Sequence, residues 1–258
     1  MKLTKSNYYS LTNKYISNSK LGDFIKDKNY FYQKHIAGTI PHEVTDPMII
    51  GSAVDTWLTQ GEKKFREDYI LVSRRSDKDG DYEHQLNPTM YAKIEKMCRR
   101  VESQDAYKQL KGSKRQVILQ KDIPLGQFEG ICGMVDFLKI KDDVAYIIDL
   151  KTSETIDTKK YHYHALSYNY YRQMAFYTLL VKHTYPEVQE VVCRHLVVEK
   201  DPNEIYTCRT FILSNERIEE EIDFINLKLN EIQLETKWLP NNCSWDQAET
   251  IGALTEEF

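Results

Sequence analysis

Residues 116–153 confine the fold more than any other part of the chain. Three largely apolar runs follow one another there: QVILQKDIPL over 116–125, FEGICGMVDFLKI over 128–140 and VAYIIDLKTS over 144–153. Each is short enough for a strand, and the KDD of 141–143 suits a tight turn between the second and the third. Strands joined by such a turn pair antiparallel and commit the chain to a sheet. Asp149 and Lys151 interrupt the third run two positions apart. Strand side chains alternate in direction, so both point to the same face. Asp136 stands in the second run, thirteen residues before Asp149. The turn at 141–143 would bring the two carboxylates together.

Helical patterns flank this meander. A helix capped by Ser17 or Ser19 is predicted over 17–38, with Leu21, Phe24, Ile25 and Phe31 on its apolar face. A Pro-containing connection (39–50) leads to a second helix starting near Gly51, with Ala53, Val54, Trp57 and Leu58 inward. The polar stretch 73–88 reads as a loop, and a helix follows from about Met90 to Leu110. After the meander come a long helix over about 163–182, a strand over 190–200, a turn at Asp201-Pro202-Asn203 and a strand near 206–214. A last helix runs from Asn215 to about Thr236, with Ile218, Ile222, Ile225 and Leu229 in step, before a less regular tail. No repeat or linker divides the chain. The expected organisation is one domain over 1–258: a mostly helical portion (1–115), a sheet core (116–214), and a C-terminal helix and tail (215–258). The class is α/β, a central mixed sheet flanked by helices.

Composition excludes some functions. A chain of 258 residues can bury a sizeable core, and no apolar run nears the roughly 20 residues that span a bilayer. The start, MKLTKSNYYSLTNKYIS, lacks the apolar region of a signal peptide, so a cytoplasmic location is expected. The five cysteines are scattered without a CxxC pair, which predicts free thiols and neither a zinc nor an iron–sulfur site. A net charge of −4 opposes global attraction to nucleic acid but leaves room for a local basic lining. Arg74, Arg75, Arg99, Arg100, Lys114, Arg115, Lys159 and Lys160 are candidates for it; each alone also reads as a plain surface charge.

Two close carboxylates repel unless a cation sits between them. Hard oxygen ligands suit Mg²⁺, which keeps several waters and also binds phosphate. Lys151, beside Asp149, could contact a water or that phosphate. Together they would support metal-assisted hydrolysis of a phosphodiester. The plain alternative is a solvated hairpin rim with no chemistry.

The order GMVDF, then IIDLK, resembles the PD-(D/E)XK nuclease superfamily. The likeness extends to the branch holding exonuclease VIII (RecE-like), phage lambda exonuclease and RecB nuclease-domain proteins, which carry Q-x-x-x-Y on the following helix. Here YYRQMAFYTLL supplies Gln173 and Tyr177, with Tyr170 one turn earlier. SNSKLGDFIKDKNYFYQKHIAG, MIIGSAVDTWL and KKFREDYILVSRR extend it from about Tyr15 to Trp238. The resemblance implies a restriction-endonuclease-like core and a Mg²⁺-dependent exonuclease, with Mn²⁺ as a substitute, acting 5′ to 3′ on ends of double-stranded DNA in phage-type recombination. It implies a bacterial or phage-infected host, a homo-oligomeric ring around DNA, and a single-strand annealing protein as partner. It assigns Asp136, Asp149 and the Leu150 carbonyl to the metal, Lys151 to the nucleophilic water and Gln173 to the phosphate side.

The branch has a metal-binding His soon after its G-S/T-A element, where this chain has Asp55. Aspartate can serve a hard cation. Ser52-x-x-Asp55 also fits a capping box, and both readings stay open. Glu129 is either a supporting acid or an exposed strand carboxylate, and Tyr177 supports Gln173 or simply packs. His162 and His164 read as part of a solvated DNA-facing loop, and His195 as structural. Two alternatives remain: an endonuclease or single-strand or flap nuclease on the same core, and a catalytically silent nucleic-acid-binding or assembly protein. The complete set Asp136, Asp149 and Lys151 argues against silence.

Overall fold

The computed structural model describes residues 2–4, 7–41, 43–76, 82–200, 203 and 205–235. The tail beyond 235, Cys243, residues 77–81 of the polar loop and the Asp201-Pro202 part of the expected turn lie outside the described residues. The N-terminal portion starts with helix α1 (Tyr8–Leu11), a 3-10 turn and the two-residue strand β1 (Tyr15–Ile16). Helices α2 (Asn18–Lys26) and α3 (Lys28–His35) replace the single helix predicted over 17–38. Asp27 divides them: its backbone is extended, and its Oδ1 accepts the Tyr30 N–H at 2.8 Å, capping α3. Ser17 caps α2 by accepting from Lys20 N–H.

Helix α4 (Asp46–Gln60) begins before the predicted start at Gly51, with Pro47 in its first turn, where a missing N–H costs nothing. Ser52 and Asp55 therefore sit inside the helix, and the capping-box reading of Asp55 falls. Helix α5 (Glu62–Asp68) follows Gly61, whose φ of 97° suits glycine. Strands β2 (Ile70–Leu71) and β3 (Gln85–Leu86) pair parallel, and α6 (Pro88–Ser103) and α7 (Asp105–Lys108) close this portion.

The meander forms as read: β4 (Lys114–Leu125), β5 (Phe128–Lys141) and β6 (Val144–Ser153). The long helix predicted over 163–182 is two, α8 (Thr158–Ser167) and α9 (Tyr170–Thr184), broken where Asn169 takes a left-handed conformation at φ 56°. His162 and His164 thus lie on a helix, not in a loop. Strands β7 (Glu190–Glu199) and β8 (Cys208–Ile212) and helix α10 (Asn215–Leu234) complete the order.

Strand β5 organises a mixed sheet. It pairs antiparallel with β4 along one edge. Its other edge is shared: β1 runs parallel to its start at Gly130 and Ile131, and β6 runs antiparallel to its end from Phe137 onward. Strand β6 continues to Ser153 paired parallel with β7, and β8 lies antiparallel outside β7. The sheet therefore forks between β5 and β6 just beyond the Phe137–Ile148 pair. One core packs α2, α3, α9 and α10 on one face, against Leu119, Ile147 and Cys193. A second packs α4, α5 and α6 on the other, against Phe137, Ile148 and Leu196. No helix among the described residues is long and apolar enough to cross a membrane.

Candidate active site at the fork of the sheet

Asp136 and Asp149 occupy the next register position after the Phe137–Ile148 pair, where the strands part. The ladder would next bond the Leu150 N–H to β5 backbone. Instead that N–H donates to Asp136 Oδ2 at 2.8 Å. The N–H and C=O of one strand residue face the same edge, so the Leu150 carbonyl also faces the fork. Asp149 is only 2% exposed. Lys151, two residues on, returns its ammonium to Asp149 Oδ2 at 2.5 Å.

The fork lets both faces of the sheet reach one point. From α9, Gln173 Oε1 accepts from Lys151 Nζ at 2.8 Å, and Gln173 Nε2 donates to Tyr177 Oη at 3.0 Å. The Tyr170 ring lies 4.5 Å from Lys151 Nζ. From α4 on the opposite face, Asp55 lines a cleft of about 200 Å³ with Leu150, Lys151, Thr152 and Tyr170. Asp55 Oδ2 accepts from Gln116 Nε2 at 2.7 Å, whereas Asp55 Oδ1 is buried with no hydrogen-bond partner.

The electrostatics follow from this crowding. Burial, then the charges of Asp149 and Asp55, push the Asp136 carboxyl well above the usual carboxylate range, against the Leu150 N–H. Burial and the Asp149 charge raise Asp55 to about 6, opposed by the Gln116 hydrogen bond and Lys151. Burial alone would lower Lys151, but Asp149 and Asp136 outweigh it and leave it raised. Lys151 is therefore an ammonium at neutral pH, suited to hold negative charge rather than to accept a proton. Three acidic side chains crowd against one ammonium, and a bound cation would favour their ionised forms.

No three His, Cys, Asp or Glu side chains among the described residues are gathered closely enough to hold a metal ion by themselves. The donors still fit a hard cation. Mg²⁺ commonly uses one or two carboxylates and completes its shell with water and substrate phosphate, and the unpartnered Asp55 Oδ1 is an oxygen in need of a positive neighbour. Cys98, Cys132, Cys193 and Cys208 are free thiols on separate elements.

The other predicted residues fall in different places. Glu129 pairs with Lys14 at 3.1 Å and accepts from Tyr15 Oη at 3.3 Å, roughly 23 Å along β5 from Asp136 at ~3.3 Å per residue. It belongs to the β1 junction, not to the fork. His162 Nδ1 meets Tyr171 Oη at 3.1 Å, and His164 Nδ1 meets Ser153 Oγ at 3.4 Å. Arg75 is consumed by Asp46 and the face of Tyr82, and Arg99 by Glu62 and Glu102. Sequence reasoning missed Gln116. Its backbone is left-handed at φ 51°, which lets its amide donate to Asp55 and, at 2.9 Å, to Thr59 Oγ1. A lone polar residue opening an apolar run gives no sign of this. His195 is fully buried beside Asp149 in the β6–β7 register, its Nδ1 2.9 Å from Tyr161 Oη.

A sheet forked between two aspartates, with D-x-K on the diverging strand and Q-x-x-x-Y on the covering helix, defines the PD-(D/E)XK nuclease-like class. The chain belongs to the family described as PDDEXK-like domain of unknown function (DUF3799), whose profile matches residues 17–246. Among solved structures it is similar to one from Eubacterium rectale described as a "Putative exonuclease", at 18% identity, full coverage of both chains and a TM-score of 0.68. It is also matched to the structure of SSO0001, at 12% identity over 81% of this chain and 84% of that one, with a TM-score of 0.28 that carries no argument. No curated protein matches it. The family and the shared fold make this a nuclease-like domain of the PD-(D/E)XK superfamily.

Proposed function

We propose that the protein is a metal-dependent exodeoxyribonuclease that degrades linear double-stranded DNA from its ends, 5′ to 3′, in phage-type recombination or DNA processing. The observation that carries the nuclease reading is the meeting of Asp136, Asp149 and Lys151 at the fork, with Asp55 brought in from the opposite face. Asp136, Asp149 and the Leu150 carbonyl would hold Mg²⁺, or Mn²⁺ in its place, with Asp55 serving the ion from the opposite face directly or through a water. Such an ion supplies Lewis-acid polarisation of the phosphate and a water acidic enough to attack at neutral pH. Lys151 orients that water and offsets negative charge gathering on the phosphate oxygens. Gln173 holds the Lys151 ammonium in place and is itself held by Tyr177. The end-directed mode rests on the sequence resemblance, and the E. rectale protein of like fold is described as a "Putative exonuclease". The proposal includes a homo-oligomeric ring, which would reconcile a net charge of −4 with DNA binding, and handover to a single-strand annealing protein.

The test is purified protein with Mg²⁺ on linear duplexes labelled separately at each end, beside a covalently closed circle. Progressive loss of the 5′ label with an untouched circle is the expected result. Rapid linearisation of the circle would replace the exonuclease reading with an endonuclease one. No cleavage of any substrate with Mg²⁺ or Mn²⁺ would leave a silent binding protein.

A further inference from the structure

We infer that a second groove, lined by Lys139, Lys141, Tyr146 and Arg194, binds the phosphodiester backbone of a nucleic-acid strand a few nucleotides from the scissile phosphate. The inference rests on the nuclease reading above. The groove is a cavity of about 250 Å³ between α7 and the β6–β7–β8 part of the sheet. Leu196 lines both it and the active-site cleft, so the two are neighbours on one face of the sheet. Along β6 the lining passes from Thr152 and Leu150 in the cleft to Ile148 and Tyr146 in the groove, one side chain in two.

Three cations line this groove of an acidic chain. Lys139 lies directly across from Tyr146 in the β5–β6 ladder, and the Arg194 guanidinium sits 5.3 Å from the same ring. Arg194 thus lies against the Tyr146 ring, Lys139 occupies the neighbouring register position, and Lys141 adds a third cation at the strand end. None of the three has a carboxylate partner among the described residues, and Arg194 Nε is buried with no hydrogen-bond partner. Arg99 and Arg217, by contrast, are each held by two glutamates. Uncompensated cations in a groove are stabilised by a polyanion, and an aromatic face beside them can stack a base.

Spacing sets the size of the ligand. Leu150 in the cleft and Tyr146 in the groove point to the same face and are four residues apart on β6, or roughly 13 Å at ~3.3 Å per residue. One DNA strand carries a phosphate about every 3.4 Å of duplex axis, so the groove is reached about four nucleotides from the cleft. A dinucleotide in the cleft is too short to touch it.

The experiment measures binding by the full chain, with Ca²⁺ replacing Mg²⁺, to labelled oligothymidylates two and twelve nucleotides long. The variants are Lys139→Ala with Lys141→Ala, Arg194→Gln and Arg194→Lys. Affinity for the long strand should fall roughly tenfold in the lysine pair and in Arg194→Gln, with a shallower salt dependence, while Arg194→Lys keeps most of it. Affinity for the dinucleotide should not change. The exposed lysine pair tests the groove even if Arg194→Gln loses its fold. Equal losses at both lengths, or none at twelve, would overturn the inference while wild-type cleavage of linear DNA keeps the nuclease reading. Wild-type protein that neither binds nor cleaves DNA would remove both.

Discussion

Asp149 is buried between an ammonium, a second aspartate and a histidine, and its surroundings set what each neighbour can do. Asp149→Asn and Asp136→Asn should each lower Mg²⁺-dependent cleavage by about 10²–10³-fold, as loss of a transition-state charge contact does, with the far-UV spectrum retained. Wild-type rates in either variant would remove that residue from the site. Asp55 gives a pH prediction. Its folded pKa of about 6 lies above the ordinary 3.8, so the fold binds more protons than the unfolded chain between these values. Stability without metal must then fall as pH rises through that window, by an amount on the order of 3 kcal/mol. His195, lowered to about 4 by burial, acts oppositely over the same range. A difference measurement cancels His195 and reads Asp55 together with the effect of its charge on Asp136, which acts in the same direction: the melting temperature of metal-free Asp55→Asn minus wild type should grow from pH 4 to pH 7. Added Mn²⁺ should raise wild type more than the variant at pH 7. Of these residues, Asp136, Asp149 and Lys151 could be picked from local spacing, and Gln173 only through the family resemblance. Gln116 could not, since its role needs a left-handed backbone and a helix reached only by tertiary packing.

At the scale of elements, α9 meets β5 over Gly133, where an added Cβ would lie 2.9 Å from Tyr177 Cε1. Tyr177 in turn holds Gln173 and, through it, Lys151. Gly133→Val should cost about 1–3 kcal/mol by overpacking and lower activity further than stability loss explains. Urea midpoints read beside rates at a fixed temperature separate the two, and wild-type values for both would discount this contact. The strands of the meander were legible because alternation and turn chemistry act locally. Helix breaks were not: 17–38 and 163–182 each read as one apolar periodicity, yet Asp27 and Asn169 divide them. An extended or left-handed residue can cost less than driving both halves along one axis, and that balance is set by what each half packs against.

For the whole molecule, the two cores lie on opposite faces of one sheet and share its central strands. A single domain requires that they melt together. Leu58→Ala on one face and Phe176→Ala on the other should each lower stability by about 2–5 kcal/mol, and shift one common transition seen in far- and near-UV circular dichroism. Two separable transitions would divide the chain into units. By itself the sequence determined the meander and the approach of Asp136 to Asp149, because a short turn leaves two alternating strands few ways to bury their apolar faces, while the register, with Lys141 paired to Val144 across a two-residue turn, came from the structure. Only the tertiary structure decided that the sheet forks there, that Asp55 and Gln116 join from the far face, and that Glu129 stays at the β1 junction. It also decided that Arg75 and Arg99 are spent on carboxylates while Lys139, Lys141 and Arg194 are not. These outcomes depend on which distant surfaces are buried against each other, a global minimum over packing that no local pattern encodes.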